Sequence, residues 1–285
     1  MSGRRDAAPT NGLRMSTLPP VIGLIAGNGR FPLVFAEAAR RQGVRVIVAA
    51  FKGDTSLSIH LVSRDVRWFA LKDFRAALGF FRENGARHVL MAGQVRPERL
   101  FAGEIKADPG LTGFFDLLKD WRCDTIFSAV GELLASEGME LLDSTLLVRE
   151  YLAPKGTLTR RAPTEKELED IQFGIGVAKH VGAIDIGQTV VIKDRAILAV
   201  EALEGTDRCI LRGGTIAREG AVVVKTSKPA QDNRFDVPVI GPGTVGAMKK
   251  AGARCVAIEA GRTLIIDRDR TVALANKAGI CILAA

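Results

Sequence analysis

The sequence contains few of the residues from which common metal and nucleic-acid sites are built. Only four cysteines and three histidines occur, without a CxxC pair or other metal-ligand spacing, so a zinc site is not expected. Aromatic residues account for 6% of the chain, which argues against recognition of nucleic acid by base stacking. We expect reduced, mostly buried thiols in a cytosolic protein at Cys123, Cys209, Cys255 and Cys281.

Several signatures of catalysis or targeting are also missing. The absence of GxxxxGK[ST] excludes a P-loop, and no Ser/His/Asp or Cys/His set indicates covalent acyl or thiol chemistry. No apolar run approaches the roughly 20 residues that span a bilayer. Residues 1–18 carry basic groups without an apolar core behind them, which does not match a signal peptide. We expect a disordered leader here, or a start at Met15 instead of Met1.

What the chain does contain is typical of a globular protein with two domains. It has 285 residues, more than one hydrophobic core usually organises, with 47% hydrophobic and 25% charged residues. The net charge of +8 suits polyanions in general, whether nucleic acid, anionic lipid or a phosphorylated small molecule. The basic residues are scattered along the chain, so charge alone does not choose among these partners.

The first half alternates apolar runs of strand length with segments whose apolar residues recur at helical spacing. Strands are predicted at 21–26, 44–51 and 88–95, and helices at 31–41, 73–84 and 124–136. This α/β alternation favours a Rossmann-like parallel sheet with crossover helices, in a domain of residues 19–150. Asp124 is predicted to be the N-cap of the last helix.

The second half repeats the alternation after a segment that contains proline and glycine. Residues 151–163 lack periodicity and are predicted to be a linker between domains. Thr164 and Glu167 then form a capping-box pattern that opens a helix to about residue 181. A β-hairpin is predicted at 188–201, turning at 193–195. We expect a C-terminal α/β catalytic domain at 164–285, with further elements at 221–225, 244–251, 255–259, 263–267 and 271–279 and a closing strand.

Two glycine-containing loops follow predicted strands of the first domain. Residues 27–29, Gly-Asn-Gly, stand between a strand and a helix, where a close backbone approach and the helix N-terminus favour an anion. Pro32 replaces the third glycine of a GxGxxG motif, so a nicotinamide cofactor is not expected. Gly93 and Gln94 end a later strand, and both loops are predicted to line one crevice. For the first loop, an ordinary strand-to-helix turn is the alternative.

The segment KPAQDNRFDVPVIG, at 228–241, is the most charged loop of the second half. Several strands around it also end in carboxylates or small polar residues, a pattern typical of a magnesium site that uses oxygen ligands. Lys228 and Arg234 are predicted to hold phosphate oxygens and to offset charge that develops during the reaction. A solvated turn without function is the alternative interpretation of this loop.

Six segments occur in an order that resembles a known family. They are IAGNGRFP, AGQV, DIGQ, AVEALEGTD, KPAQDNRFDVPVIG and EAGRTLIID, and the resemblance runs from about Val21 to the C-terminus. The family is the LpxI-type UDP-2,3-diacylglucosamine pyrophosphatases of lipid A biosynthesis in Gram-negative bacteria. The resemblance implies a Mg²⁺-dependent hydrolase that holds its lipid between two domains and releases UMP and 2,3-diacylglucosamine 1-phosphate. It also implies that the aspartate of an Arg-x-Asp-x-Pro pattern, here Asp236, is essential for turnover.

The loops and the resemblance together give each candidate residue an expected role. The predicted catalytic residues are Asp236, Arg234 and Lys228, and the predicted ligands of Mg²⁺ are Asp236, Glu204 and Asp207. Relatives often carry paired aspartates where this chain has Cys123-Asp124, so only Asp124 is retained here. The predicted substrate-binding residues are Gly27, Asn28, Gly29, Gly93, Gln94, Asp124, Gln188, Gly205, Thr206, Gln231, Asp232, Glu259 and Ala260.

An acylated substrate requires contact with a membrane. The positive net charge favours transient, peripheral contact of a cytoplasmic protein with the anionic inner face of the inner membrane. Nucleic acid is not expected as a partner, and a homodimer is one assembly left open. Two other functions also stay open: hydrolysis of a soluble nucleotide sugar by the same metal loop, and nucleotide binding without catalysis.

Overall fold

A computed structural model describes residues 18–104, 107, 108, 111 and 118–285 of the chain. The leader predicted at residues 1–18 lies outside the described residues, except for Leu18. Within the described ranges, no helix has both the length and the apolar character that crossing a membrane requires.

The first half folds into a five-stranded sheet in which neighbouring strands are parallel. The helices of this half are α1 (Phe31–Arg41), α2 (Phe74–Glu83), α3 (Pro97–Phe101) and α4 (Cys123–Ser136), with 3-10 helices at Leu57–Leu61, Leu71–Asp73 and Arg149–Tyr151. The predicted parallel sheet with crossover helices is confirmed. In the order β3-β2-β1-β4-β5, the strands are β1 (Val21–Ala26), β2 (Arg45–Phe51), β3 (Asp65–Phe69), β4 (His88–Ala92) and β5 (Glu140–Leu141).

Each face of this sheet is covered by an apolar layer. Phe35 of α1 lies in one layer, and Phe81 of α2 lies in the other, both without exposed surface. A Cβ atom at Gly23 would lie 2.9 Å from the Phe81 ring, so this glycine allows α2 to pack closely on β1. Because both faces are covered, the central strands are continuous apolar runs, which is the pattern that predicted them.

The second half contains a six-stranded mixed sheet and a two-stranded parallel sheet. The large sheet has the order β6-β13-β11-β9-β7-β8, and β10 (Val239–Ile240) pairs with β12 (Leu264–Ile265) in the small one. Its helices are α5 (Glu165–Ala183), α6 (Thr206–Ala217), α7 (Pro242–Ala251) and α8 (Arg268–Ala278). The strands of the large sheet are β6 (Gly156–Thr157), β7 (Thr189–Lys193), β8 (Ala196–Val200), β9 (Val222–Lys225), β11 (Cys255–Ile258) and β13 (Cys281–Ala284).

Of the helix and strand predictions for this half and for Asp124, some are confirmed and one is wrong. The capping box of Thr164 and Glu167 at the start of α5 and the antiparallel hairpin of β7 and β8 are confirmed. Residues 151–163 include β6, which pairs antiparallel with β13. The prediction that Asp124 is a helix N-cap is wrong, because the N-cap of α4 is Arg122 and the Asp124 carboxylate instead accepts a hydrogen bond from Lys228.

The two halves pack directly against each other through the charged segment at 228–241. Val237 belongs to the same buried apolar layer as Phe35 of the first half. The backbone N–H of Ser144 donates to the Asn233 carbonyl over 2.9 Å. The ring of Phe235 stacks on Phe127 of α4, with centroids 5.3 Å apart. The segment is therefore anchored in the first half at these positions, and its interpretation as a turn without function stays open until Asp236 is tested.

Candidate active site

The side chain of Lys228 lies among three carboxylates that come from both halves of the chain. Its ammonium nitrogen is 2.7 Å from Asp124 Oδ1 and 3.9 Å from Asp236 Oδ2, and it also donates to Asp185 Oδ1. Burial lowers the pKa of Lys228, but the hydrogen bonds to Asp124 and Asp185 outweigh burial and raise this pKa above its usual value. The ammonium group therefore stays charged and can attract an anion.

Asp236, the predicted essential carboxylate, is held in place by two glutamines. Gln188 Nε2 donates to Asp236 Oδ2 over 2.9 Å, and Gln231 Nε2 donates to the Asp236 backbone carbonyl over 2.9 Å. The side chain is 37% exposed, yet protein surrounds it closely enough that burial raises the pKa of Asp236, against the lowering effect of Lys228 and Lys225. A raised pKa makes this carboxylate a better proton acceptor than an ordinary aspartate.

A second lysine, Lys225, acts electrostatically on Asp236. Lys225 is 5% exposed, and its ammonium donates to Thr206 Oγ1 over 2.6 Å. Thr206 Oγ1 in turn donates to Glu201 Oε1 over 2.7 Å. Two buried oxygens of this region, Glu201 Oε2 and Gln188 Oε1, have no hydrogen-bond partner among the described residues. Buried oxygens of this kind need a partner, which a ligand can supply.

Three charged residues predicted for the site, Glu204, Asp232 and Arg234, already form ion pairs. Arg212 Nη2 lies 2.5 Å from Glu204 Oε1, so the predicted metal ligand Glu204 is neutralised by a side chain of α6. Arg234 Nη2 lies 2.6 Å from Asp232 Oδ2, in a pair whose side chains are 52% and 40% exposed. Because that pair is open to solvent, it is weakly held, and another anion can replace Asp232 beside Arg234 at low cost.

The other two predicted carboxylates are Glu259, directly after β11, and Asp207, at the start of α6. Glu259 Oε1 is 2.5 Å from Lys179 Nζ, and the other oxygen of Glu259 accepts hydrogen bonds from Ser227. The predicted contact Ala260 follows directly and is half-buried. Asp207 lies in the first turn of α6, where burial raises its pKa.

The glycine loops of the first half lie side by side, as the sequence predicted. The backbone N–H of Asn28 donates to the Gln94 carbonyl over 2.7 Å, and that of Gly27 donates to the carbonyl of Ala92. A Cβ atom built at Gly205 would lie 3.8 Å from Gln94 Oε1. The paired loops of residues 27–29 and 93–94 therefore lie, through Gln94, next to the start of α6 of the second half.

The cysteines take no part in this arrangement as nucleophiles. Burial raises the pKa of Cys123 to about 11, and Asp236 and Asp185 add to the effect, so the thiol stays neutral. Cys255 and Cys281 are buried on neighbouring strands and pack in the core. The expectation of reduced, mostly buried thiols is confirmed.

The oxygen donors of the site fit a divalent cation that takes further ligands from a substrate. No three His, Cys, Asp or Glu side chains of the described ranges are grouped as a metal site, so Asp236, Glu204 and Asp207 form no ready-made cage. Four carboxylates surround two ammonium groups here, an excess of two negative charges when all are ionised. Mg²⁺ is usually held by one or two carboxylates together with substrate phosphate, and the two unsatisfied buried oxygens add donors.

Sequence reasoning did not assign a function to three residues of this site. Lys225 and Glu201 were detectable, because each stands at the end of an apolar strand next to a predicted loop. Asp185 belongs to the same DIGQ segment as Gln188, but nothing in the sequence places it beside Lys228, 43 residues later.

Two family models match the chain, one over each half. The family model described as the LpxI N-terminal domain matches residues 21–151, and the one described as the LpxI C-terminal domain matches residues 154–283. The chain is 32% identical over 276 residues to the UDP-2,3-diacylglucosamine pyrophosphatase LpxI of Caulobacter vibrioides, with 92% of this chain and 96% of the relative covered.

Two solved structures are similar at low identity and low TM-score. They are phosphoribosylglycinamide synthetase from Anaerococcus prevotii, at 10% identity and TM-score 0.23, and the biotin carboxylase domain of the Hydrogenobacter thermophilus 2-oxoglutarate carboxylase, at 12% and 0.23. The matches cover 62% and 69% of this chain but only 37% and 41% of those proteins, so this chain spans less than half the length of either. The two family matches and the Caulobacter relative establish that the chain belongs to the LpxI family.

Proposed function

We propose that this protein hydrolyses the pyrophosphate bond of UDP-2,3-diacylglucosamine to UMP and 2,3-diacylglucosamine 1-phosphate, with Mg²⁺, in lipid A biosynthesis. The observation that carries the proposal is the position of Asp236. In a member of the LpxI family, this carboxylate stands where the two halves meet, with a raised pKa and beside the Lys228 ammonium, which also contacts Asp124 of the first half. A proton acceptor and a fixed positive charge are what hydrolysis of a pyrophosphate requires.

In the proposed reaction, Lys228 binds oxygens of the pyrophosphate and offsets the charge that builds up on them. Asp236 accepts a hydrogen bond from the attacking water and takes its proton as the water oxygen bonds to the phosphorus on the sugar side. The bond from that phosphorus to the bridging oxygen breaks, and UMP leaves with the bridging oxygen. Gln188 fixes the orientation of Asp236 throughout, because its amide donates to Asp236 Oδ2. Mg²⁺, held by Asp236 and the substrate's phosphate oxygens, would polarise the phosphoryl group when bound.

The remaining predicted residues would bind and orient the substrate. The backbone of residues 27–29 and 93–94 would contact the substrate from the first half, and Gly205 and Thr206 from the second, since Gly205 lies next to Gln94. Arg234 would exchange Asp232 for a phosphate oxygen. We also propose transient contact with the inner face of the inner membrane, driven by the net charge of +8. Assembly as a homodimer stays a prediction.

The test is release of UMP from UDP-2,3-diacylglucosamine by the purified full chain, with Mg²⁺, with EDTA, and after Asp236→Ala. We expect release that needs Mg²⁺ and that is lost in Asp236→Ala while the protein remains folded. Asp269→Ala is the matched control, since Asp269 is exposed on α8 and stands outside the crevice residues.

Two outcomes would contradict the proposal at different steps. If the wild-type protein is inactive on the lipid but cleaves UDP-N-acetylglucosamine, the substrate is wrong and a soluble nucleotide sugar takes its place. If Asp236→Ala retains full activity, the assignment of the catalytic residue is wrong, whatever the substrate.

A further inference from the structure

Asp185 is a buried aspartate outside the predicted machinery, on the turn between α5 and β7. Its backbone has φ of +57°, in the left-handed region that aspartate and asparagine tolerate better than most residues. Its side chain is 8% exposed. One carboxylate oxygen accepts a hydrogen bond from Lys228 Nζ, and the other accepts one from the backbone N–H of Asp124 over 2.9 Å. Asp185 therefore joins the first turn of α4 in one half to Lys228 in the other.

The turn that carries Asp185 is fixed by close packing on both sides. A Cβ atom at Gly187 would lie 2.1 Å from the Glu201 carbonyl oxygen, so the turn touches the end of β8 directly. A Cβ atom at Gly182 would lie 3.5 Å from the Cα atom of Lys228. The Asp185 carboxylate is thus presented to Lys228 from a backbone with little freedom to move.

The two aspartates that bind the Lys228 ammonium differ in exposure. The Asp124 side chain is 62% exposed, whereas Asp185 and Lys228 are 8% and 7% exposed. The contact with Asp124 is open to exchange by an incoming phosphate, because an exposed ion pair is weakly held in water. The contact with Asp185 is shielded, and a buried anion next to an ammonium group fixes that group in place.

We infer that Asp185 is a positioning residue, which keeps the Lys228 ammonium directed at the substrate pyrophosphate while a phosphate oxygen replaces Asp124. The same carboxylate also accepts the hydrogen bond from the Asp124 N–H, so it joins α4 of the first half to the segment that carries Lys228. This inference rests on the proposed function, because it assumes that Lys228 contacts a pyrophosphate.

The test compares kcat and KM for UMP release by wild type, Asp185→Asn, Lys228→Gln and the double variant, at saturating Mg²⁺. Asparagine suits the left-handed backbone and retains an oxygen for the Asp124 N–H, but it removes the charge that holds Lys228. We expect Asp185→Asn to lower kcat by about 10- to 100-fold, with little change in KM. In the Lys228→Gln background, Asp185→Asn should lower kcat hardly any further, because the ammonium group through which Asp185 acts is already absent.

Asp194→Asn is the matched control, because Asp194 is also an aspartate with positive φ, +50°, but lies exposed in the turn between β7 and β8. It should leave kcat unchanged. If Asp185→Asn does not fold, Asp185→Gly replaces it, since glycine also suits the backbone. The inference would be overturned if Asp185→Asn had the kcat of the wild type. It would also be overturned if Asp185→Asn lowered kcat by the same factor in the wild-type and the Lys228→Gln backgrounds. Wild-type protein that releases no UMP would instead overturn the proposed function.

Discussion

The side-chain amide of Gln188 donates a hydrogen bond to the Asp236 carboxylate, with Nε2 and Oδ2 2.9 Å apart. Gln188 is 6% exposed, and its own amide oxygen has no partner among the described residues. A neutral amide orients the carboxylate without adding a second charge to a region that already contains two lysines. The electrostatic state of Asp236 is therefore set by burial and by Lys228 and Lys225.

Replacement of Asp236 by asparagine is expected to stabilise the protein while it removes activity. Burial raises the pKa of Asp236 in the folded state, so the free energy of unfolding falls as pH rises from the unfolded-state pKa of about 3.9 to the raised folded value. Above that raised folded value the whole penalty is present, and Asp236→Asn should raise Tm there. The variant should also lose roughly 10²- to 10⁴-fold in kcat. Asp269→Asn should change neither quantity, and a lower Tm in Asp236→Asn would contradict the electrostatic account.

Removal of the Lys225 charge is expected to move the acid limb of the pH–rate profile to higher pH. The Lys225 ammonium lowers the pKa of Asp236. In Lys225→Met this pKa should therefore be higher, and the carboxylate should become ionised and active only at higher pH. The measurement is kcat/KM against pH for wild type and Lys225→Met. Lys249→Met, at an exposed position of α7, should leave the limb in place. An unmoved limb in Lys225→Met would show that another group controls it.

Lys228→Met is expected to lower the free energy of unfolding by about 3 kcal/mol, because it leaves the buried Asp185 carboxylate without its ammonium partner. Urea unfolding at pH 7 measures this loss. The exposed Lys249→Met should cost less than about 0.5 kcal/mol, and a similar small loss in Lys228→Met would mean that Asp185 is satisfied by water.

Most strands could be predicted from sequence because they are buried on both faces and read as continuous apolar runs. β3 was not predicted, since this edge strand alternates charged and apolar residues and is only partly buried. Helix α6 was not predicted, because Gly213 and Gly214 weaken its helical pattern. Glycine is needed at these two positions because of tertiary packing. A Cβ atom at Gly213 would lie 2.6 Å from Val191 of β7, and one at Gly214 would lie 2.4 Å from Ala251 of α7.

In the candidate site, too, some contacts could be predicted from the sequence and others could not. Lys228 and Asp236 are eight residues apart in one segment, so their proximity could be predicted from a short range of sequence. The contact of Lys228 with Asp124 joins residues 104 apart and depends on how the two halves pack. No short stretch of sequence in either half indicates how the two halves pack on each other. The role of Asp185, which contacts Lys228 and the Asp124 N–H, was not predicted for that reason.

Gly93→Ala is expected to damage both stability and substrate binding. Gly93 has φ of +82°, and a Cβ atom there would lie 2.3 Å from the carbonyl oxygen of Asn28, so the two loops of the first half must separate. We expect a loss of about 1–3 kcal/mol in the free energy of unfolding and a higher KM, measured by urea unfolding and UMP release. Gly176→Ala is the control, because α5 leaves open space at that position, and it should gain about 0.5–1 kcal/mol. Wild-type stability and KM in Gly93→Ala would show that the loops can separate without cost and do not hold the substrate.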